Sequence, residues 1–131
     1  SEFGGHGLPA TVPAGSDRPT IKGSAEPGGN TTIAIIATDL AMTKAQLKRL
    51  AIAAHDGIAL AVYPAHTPLD GDTIFTMTSN SANRPASLDD MVEASALSSA
   101  TLARAIGRGV AYAKPAADDT VAVWSDLRPG K

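Results

Sequence analysis

Apolar positions are not spread evenly along the chain. They crowd first into one unbroken run, Ile33-Ala34-Ile35-Ile36-Ala37, between Thr32 and Thr38. A run this short with no polar alternation predicts a central strand covered on both faces. The period then changes. Leu47, Leu50, Ala51, Ala54, Ile58, Ala61 and Val62 recur at helical spacing. Thr43 at the N-cap and Gln46 at N3 fit a capping box, and Met42 with Leu47 fits the accompanying hydrophobic staple. The helix is expected to run through Gly57, at about 1 kcal/mol relative to Ala, and to end before Pro64. Alternation returns in Thr73-Ile74-Phe75-Thr76-Met77-Thr78-Ser79, which predicts a second strand. Beyond a polar break from Asn80 to Ala86, Ser87 and Asp90 suit another helix start. Val92, Ala96, Leu97, Ala103, Ile106 and Val110 mark its expected buried side, with an interruption near Ser98-Ser99 and a stop at Lys114-Pro115. Thr120 to Trp124 reads as a short strand, and Trp124 fits either an anchor onto another chain or a core residue.

The pattern divides the chain into a Gly/Pro-rich linker over residues 1–30, a strand-helix-strand-helix core over 31–115 and a polar tail over 116–131. Seven glycines and four prolines in the first segment leave no apolar periodicity. His6 there reads as solvent-exposed, and with Ser1 in place of methionine the true N-terminus is expected upstream. Two strands cannot bury the apolar faces of two long helices. The missing strands are expected from outside this chain.

Composition narrows the function classes. The 131 residues amount to one domain at most. A net charge of −2 with no basic run gives no electrostatic case for nucleic acid. Five aromatic residues oblige the core to be built from Ala, Val, Ile and Leu. The absence of cysteine excludes a disulfide framework and a thiolate zinc site. It is compatible with a reducing compartment, and a cytoplasmic protein is expected. No apolar stretch approaches the roughly 18 residues of a membrane span, and no cofactor or metal is expected.

Two stretches carry candidate chemistry. In Gly29-Asn30-Thr31-Thr32 the linker meets the first strand. A threonine hydroxyl is a weak nucleophile that needs a base within hydrogen-bond reach. The α-amino group of Thr31, with an ordinary pKa of about 7.7 to 8.0, becomes available as that base once the Asn30-Thr31 bond is cut. Attack of the Thr31 hydroxyl on the Asn30 carbonyl would make that cut. The same residues also fit a plain loop entering a strand. In the second stretch, Pro64 to Asp72, two prolines stiffen a loop and Asp70-Gly71-Asp72 leads into the second strand. Residues i and i+2 share a side of extended backbone. Two carboxylates there would titrate as a pair, one holding the α-amino group and the other relaying a proton. An ordinary Asp-Gly turn fits the same residues. His66 and Thr67 are candidate pocket residues, with loop stiffening an equal reading for His66. His55-Asp56 reads first as a polar pair on the helix surface and second as a hydrogen-bonded pair near a site, and Lys44, Lys48 and Arg49 read as the solvated face of the helix.

The ordered series Asn30-Thr31-Thr32-Ile33, Ala37-Thr38-Asp39, Thr43 to Ala51, Ala54-His55-Asp56-Gly57 and Pro64 to Phe75 resembles the self-processing amidohydrolases of the DmpA-type aminopeptidase and nylon-oligomer hydrolase family. The resemblance covers roughly residues 29 to 113 and is nearest the nylon-oligomer branch, which has a threonine nucleophile and a downstream Asp-Gly-Asp. It implies that Thr31, Asp70 and Asp72 are catalytic and that Asn30-Thr31 is the cleavage site. Residues 1–30 would then end an α chain and Thr31 would open a β chain. It also implies an α/β fold, part of a layered α-β-β-α sandwich completed by the missing α portion, which would also supply the oxyanion hole. Four αβ units commonly assemble in such proteins. Peptide or amide substrates follow, their exact class left open, and the chain alone is expected to be inactive. Two other readings stand beside this one: an acyltransferase resembling the ornithine acetyltransferases, whose nucleophile normally follows alanine, and a non-catalytic interaction domain.

Overall fold

The computed structural model describes residues 31–119 and 122–127. The linker 1–30, with Asn30 and His6, therefore lies outside the described residues, as do Thr120 and Val121 of the expected C-terminal strand.

Strand β1 (Ile33–Thr38), helix α1 (Lys44–Ala61), strand β2 (Thr73–Thr78) and helix α2 (Leu88–Tyr112) follow one another, with a single-turn helix α3 (Trp124–Leu127) behind them. The strands pair in parallel, Ile33 opposite Thr73 and Thr38 opposite Thr78, with α1 as the crossover. The chain is mixed α/β, as expected. Trp124 begins α3 rather than ending a strand, and α3 leans on α2.

Both long helices begin as their sequences predict. Thr43 accepts the Gln46 N–H while the Gln46 side chain accepts the Thr43 N–H at 2.8 Å, and Met42 beside this cap is buried. Ser87 and Asp90 form the same reciprocal box at α2. Arg84 grips Asp90 with both guanidinium nitrogens, Nη2 lying 2.8 Å from Oδ1. That charge-assisted pair and the Ser87 hydrogen bonds hold the Asp90 carboxyl well below the usual carboxylate range.

One face of the sheet is packed. Ile74, Ala54, Ile58 and Leu102 form the core, with Ala34, Ile36, Ala51, Val62, Ala65 and Ile106 around them. Leu50 and Ile58 are the large side chains fully removed from water, each contributing about 1.5–3 kcal/mol. The inward threonines of β2 fit because their hydroxyls donate to carbonyls, Thr76 to Leu47 at 3.0 Å and Thr78 to Leu40. The opposite face is open: Ile33, Ile35, Phe75 and Met77 are each at least half exposed. The apolar run of β1 was expected to be covered on both faces; among the described residues only one is.

The buried side of α2 also differs from expectation. Ala103 is buried and Ile106 packs on the core as expected, but Val92, Leu97 and Val110 are more than half exposed while Ser98 and Leu102 are buried, and the helix passes Ser98-Ser99 without a break. Ser95 and Ser98 enter the packed stripe because each hydroxyl returns to its own helix, Ser95 to the Met91 carbonyl at 2.7 Å and Ser98 to that of Ser95 at 2.8 Å. The stripe is thin enough for close approach. A Cβ on Gly57 of α1 would collide with the Ser99 carbonyl oxygen and lie 3.0 Å from Leu102 Cβ.

Candidate active site

Parallel pairing brings the entries of both strands to the same end of the sheet. Thr73 N–H donates to the Thr32 carbonyl at 2.9 Å, carrying the ladder one step before β1. Thr32 N–H in turn donates to Asp72 Oδ1 at 3.0 Å. Continuing the register by one more residue sets Thr31 beside Gly71. A Cβ at position 71 would stand only 2.6 Å from Thr31 Oγ1, so the threonine hydroxyl occupies the space a side chain there would need. Thr31 itself is exposed.

The two carboxylates of Asp70-Gly71-Asp72 have different surroundings. The Asp72 side chain is 4% exposed, and its second oxygen, Oδ2, lies 3.0 Å from His66 Nδ1. Both Asp72 oxygens are thus engaged, one on the backbone next to Thr31 and one on the imidazole. Asp70 closes the preceding loop: its Oδ2 accepts Thr67 N–H at 2.8 Å, and its own N–H donates to the Thr67 carbonyl at 2.9 Å. Pro68 and Leu69 sit inside that turn, so Asp70 sets the shape of the loop that carries His66 and Thr67. An acidic pair distinguished in this way has one member directed at the strand entry and one at the loop.

His66 has a left-handed backbone, with φ 59°. Its Nε2 lies 3.3 Å from the His55 carbonyl oxygen of α1, and the two imidazoles meet edge to face at 5.0 Å. His55 therefore faces this loop rather than pairing with Asp56 on the helix surface. Sequence reasoning missed that link because nothing in the helical period marks a backbone carbonyl as a partner. It also passed over Gly71, read there as turn chemistry. A cavity of about 400 Å³ opens elsewhere, between β1 and α2, with Ile36, Thr38, Leu50, Glu93 and Thr101 among its lining residues. Neither His66 nor Thr67 lines it.

A sequence profile of peptidase family S58 matches residues 5–122. The chain belongs to that peptidase family, the DmpA-type group. Among its relatives, an uncharacterized aminopeptidase of Mycobacterium bovis is 41% identical over 111 residues, covering 77% of this chain and 32% of the relative. A second, from Mycobacterium leprae, is 45% identical over 60 residues, covering 46% and 17%. A 6-aminohexanoate-oligomer endohydrolase of Kocuria is 37% identical over 57 residues, covering 44% and 16%. Aminopeptidases and a nylon-oligomer hydrolase are thus both represented, as the motifs implied. No solved structure matches the chain. This S58 chain spans about a third of the length of the mycobacterial relative it matches over most of its own length. No helix among the described residues is long and apolar enough to cross a membrane.

Proposed function

We propose that this chain carries the nucleophile of a self-processing amide hydrolase, and that the nucleophile is Thr31. The observation that carries the reading is the strand-entry geometry: Thr31 Oγ1 packed over Gly71, with the next amide held by Asp72. A nucleophile fixed at the mouth of a rigid sheet has lost the freedom that makes a loop threonine ineffective. In the first step Thr31 Oγ bonds to the Asn30 carbonyl carbon, the Asn30-Thr31 C–N bond breaks, and the hydroxyl proton ends on the released amine. Water then hydrolyses the ester, leaving an Asn30 carboxylate and a free Thr31. In turnover the α-amine takes the hydroxyl proton as Oγ attacks a substrate amide and returns it to the departing amine. Water cleaves the resulting acyl ester. Asp72 positions the strand entry in this scheme, and Asp70 shapes the loop beside it and serves as the proton relay.

The substrate class is an amide of small peptide or linear oligoamide type, in keeping with the names of the relatives. The bare face formed by Ile33, Ile35, Phe75 and Met77 supports a sheet completed by the remainder of the parent protein. So does the second edge of β1, which has no neighbouring strand among the described residues. That remainder is the α portion, which would turn the two layers seen here into an α-β-β-α sandwich, with αβ units assembling as a homo-oligomer. Intact mass and N-terminal sequencing of the precursor carrying this chain test the reading. A fragment beginning at Thr31 is expected from wild type and none from Thr31→Ala. A wild-type precursor that stays whole, or a Thr31→Ala variant that still divides, overturns it.

A further inference from the structure

We propose that His66 is a positioning residue for this site, fixing Asp72 and through it the backbone that presents Thr31; the inference rests on the reading of Thr31 given above. A continuous chain of contacts runs from helix to strand. The His55 carbonyl of α1 meets His66 Nε2 at 3.3 Å, His66 Nδ1 meets Asp72 Oδ2 at 3.0 Å, and Asp72 Oδ1 accepts Thr32 N–H at 3.0 Å. Asp72 is nearly sealed from water while His66 is 37% exposed. A buried carboxylate with one oxygen on a backbone amide needs a second partner to hold its plane, and His66 supplies it.

Two further features argue that the ring is placed for this purpose. Both ring nitrogens face acceptors, the His55 carbonyl on one side and the Asp72 carboxylate on the other, so the ring is held between helix and strand entry. The backbone of His66 is also held in the left-handed region, which costs a non-glycine residue free energy and persists where surrounding contacts over-determine it. A loop histidine serving only as solvated filler requires neither the strain nor the two-sided contact. The chain of contacts ends one residue from the nucleophile, so loosening it displaces Thr31 without unfolding the core around Ile58 and Leu102.

The test compares His66→Gly with His66→Asn in the precursor, reading the first-order rate of Asn30-Thr31 cleavage by intact mass. Both substitutions tolerate the left-handed backbone, so both keep the loop. Only asparagine places an N–H donor where Nδ1 stands. Cleavage by His66→Gly is expected to slow about 10- to 100-fold, and His66→Asn to recover to within about threefold of wild type. Equal rates for the two variants, whether both fast or both slow, overturn the proposal, because a loop clip has no use for the donor. Thr31→Ala run alongside separates the two readings. If wild type cleaves, Thr31→Ala is inert and His66→Gly matches wild type, the positioning role alone falls. If Thr31→Ala still cleaves, or wild type does not, the nucleophile assignment falls and this proposal with it.

Discussion

Gly57 and Gly71 are both crowded, and by opposite kinds of neighbour. At the seam between α1 and α2, the obstacle to a side chain on Gly57 is backbone: the Ser99 carbonyl oxygen and, at 3.2 Å, the Ala103 nitrogen. At the strand entries, the obstacle at Gly71 is the end of a single side chain, Thr31 Oγ1. Backbone in a packed helix moves only by separating the helices, whereas a hydroxyl moves by changing rotamer. One glycine therefore protects the fold and the other protects the placement of one atom. The same amino acid marks two different demands, and they separate experimentally.

The largest effect is expected at Gly71. Gly71→Ala displaces Thr31 Oγ1 from its position while leaving the core untouched. Cleavage at Asn30-Thr31 in the precursor, and amide hydrolysis by whatever processed protein forms, should fall about 100-fold, with the thermal midpoint within about 2 °C of wild type. Stability measured in a Thr31→Ala background should not respond to Gly71→Ala at all, since the colliding hydroxyl is gone. Full activity with alanine at 71 would show that the packed rotamer of Thr31 is not the reactive one.

Gly57→Ala should do the reverse. Alanine is intrinsically the better helix former by about 1 kcal/mol, but forcing a methyl group against the Ser99 carbonyl costs about 1–3 kcal/mol or more. A net loss of up to about 2 kcal/mol is expected in denaturant unfolding, with the cleavage rate of the folded fraction little changed. A stabilised variant would mean that the seam relaxes freely and that the contrast with Gly71 lies only in the static contacts.

The same contrast explains what was legible in the sequence. Caps are local, so Thr43-Gln46 and Ser87-Asp90 announced both helix starts, and the period of Leu50, Ala54 and Ile58 announced the packed side of α1. The alternation in Thr73–Thr78 announced β2. Tertiary satisfaction was invisible. Ser95 and Ser98 look polar and sit in the seam because their hydroxyls bond their own helix. Val92 and Leu97 look like core and are more than half exposed. At the site, Thr31 and the Asp-Gly-Asp stood out by chemical type. The link through His66 to the His55 carbonyl depends on a loop conformation and on backbone atoms that have no letter in a sequence. The bare face of Ile35 and Phe75 was partly foreseen, since two strands could not bury so much apolar surface, but not its one-sidedness.

The smallest effect tests whether the start of α2 has an electrostatic anchor at the surface, where the strand entries have a buried one at Asp72. Arg84 and Ser87 hold the Asp90 carboxyl below its ordinary range in the folded chain. A carboxyl whose folded pKa is depressed binds its proton more weakly folded than unfolded, so it stabilises the fold above its ordinary pKa of about 4. That contribution is lost as the pH falls through and below this value, and raising the pH above neutrality leaves it unchanged. Because the pair is at the surface, the gain is screened and should be smaller than the cost of Gly57→Ala. Asp90→Asn keeps a capping acceptor and removes the charge. The denaturation midpoint of wild type should exceed that of the variant at pH 7, and the gap should narrow steadily toward pH 3, more so at low salt. A gap independent of pH would assign the role of Asp90 to its capping geometry alone, leaving the start of α2 held by hydrogen bonds rather than by charge, unlike the strand entries with their buried Asp72 carboxylate.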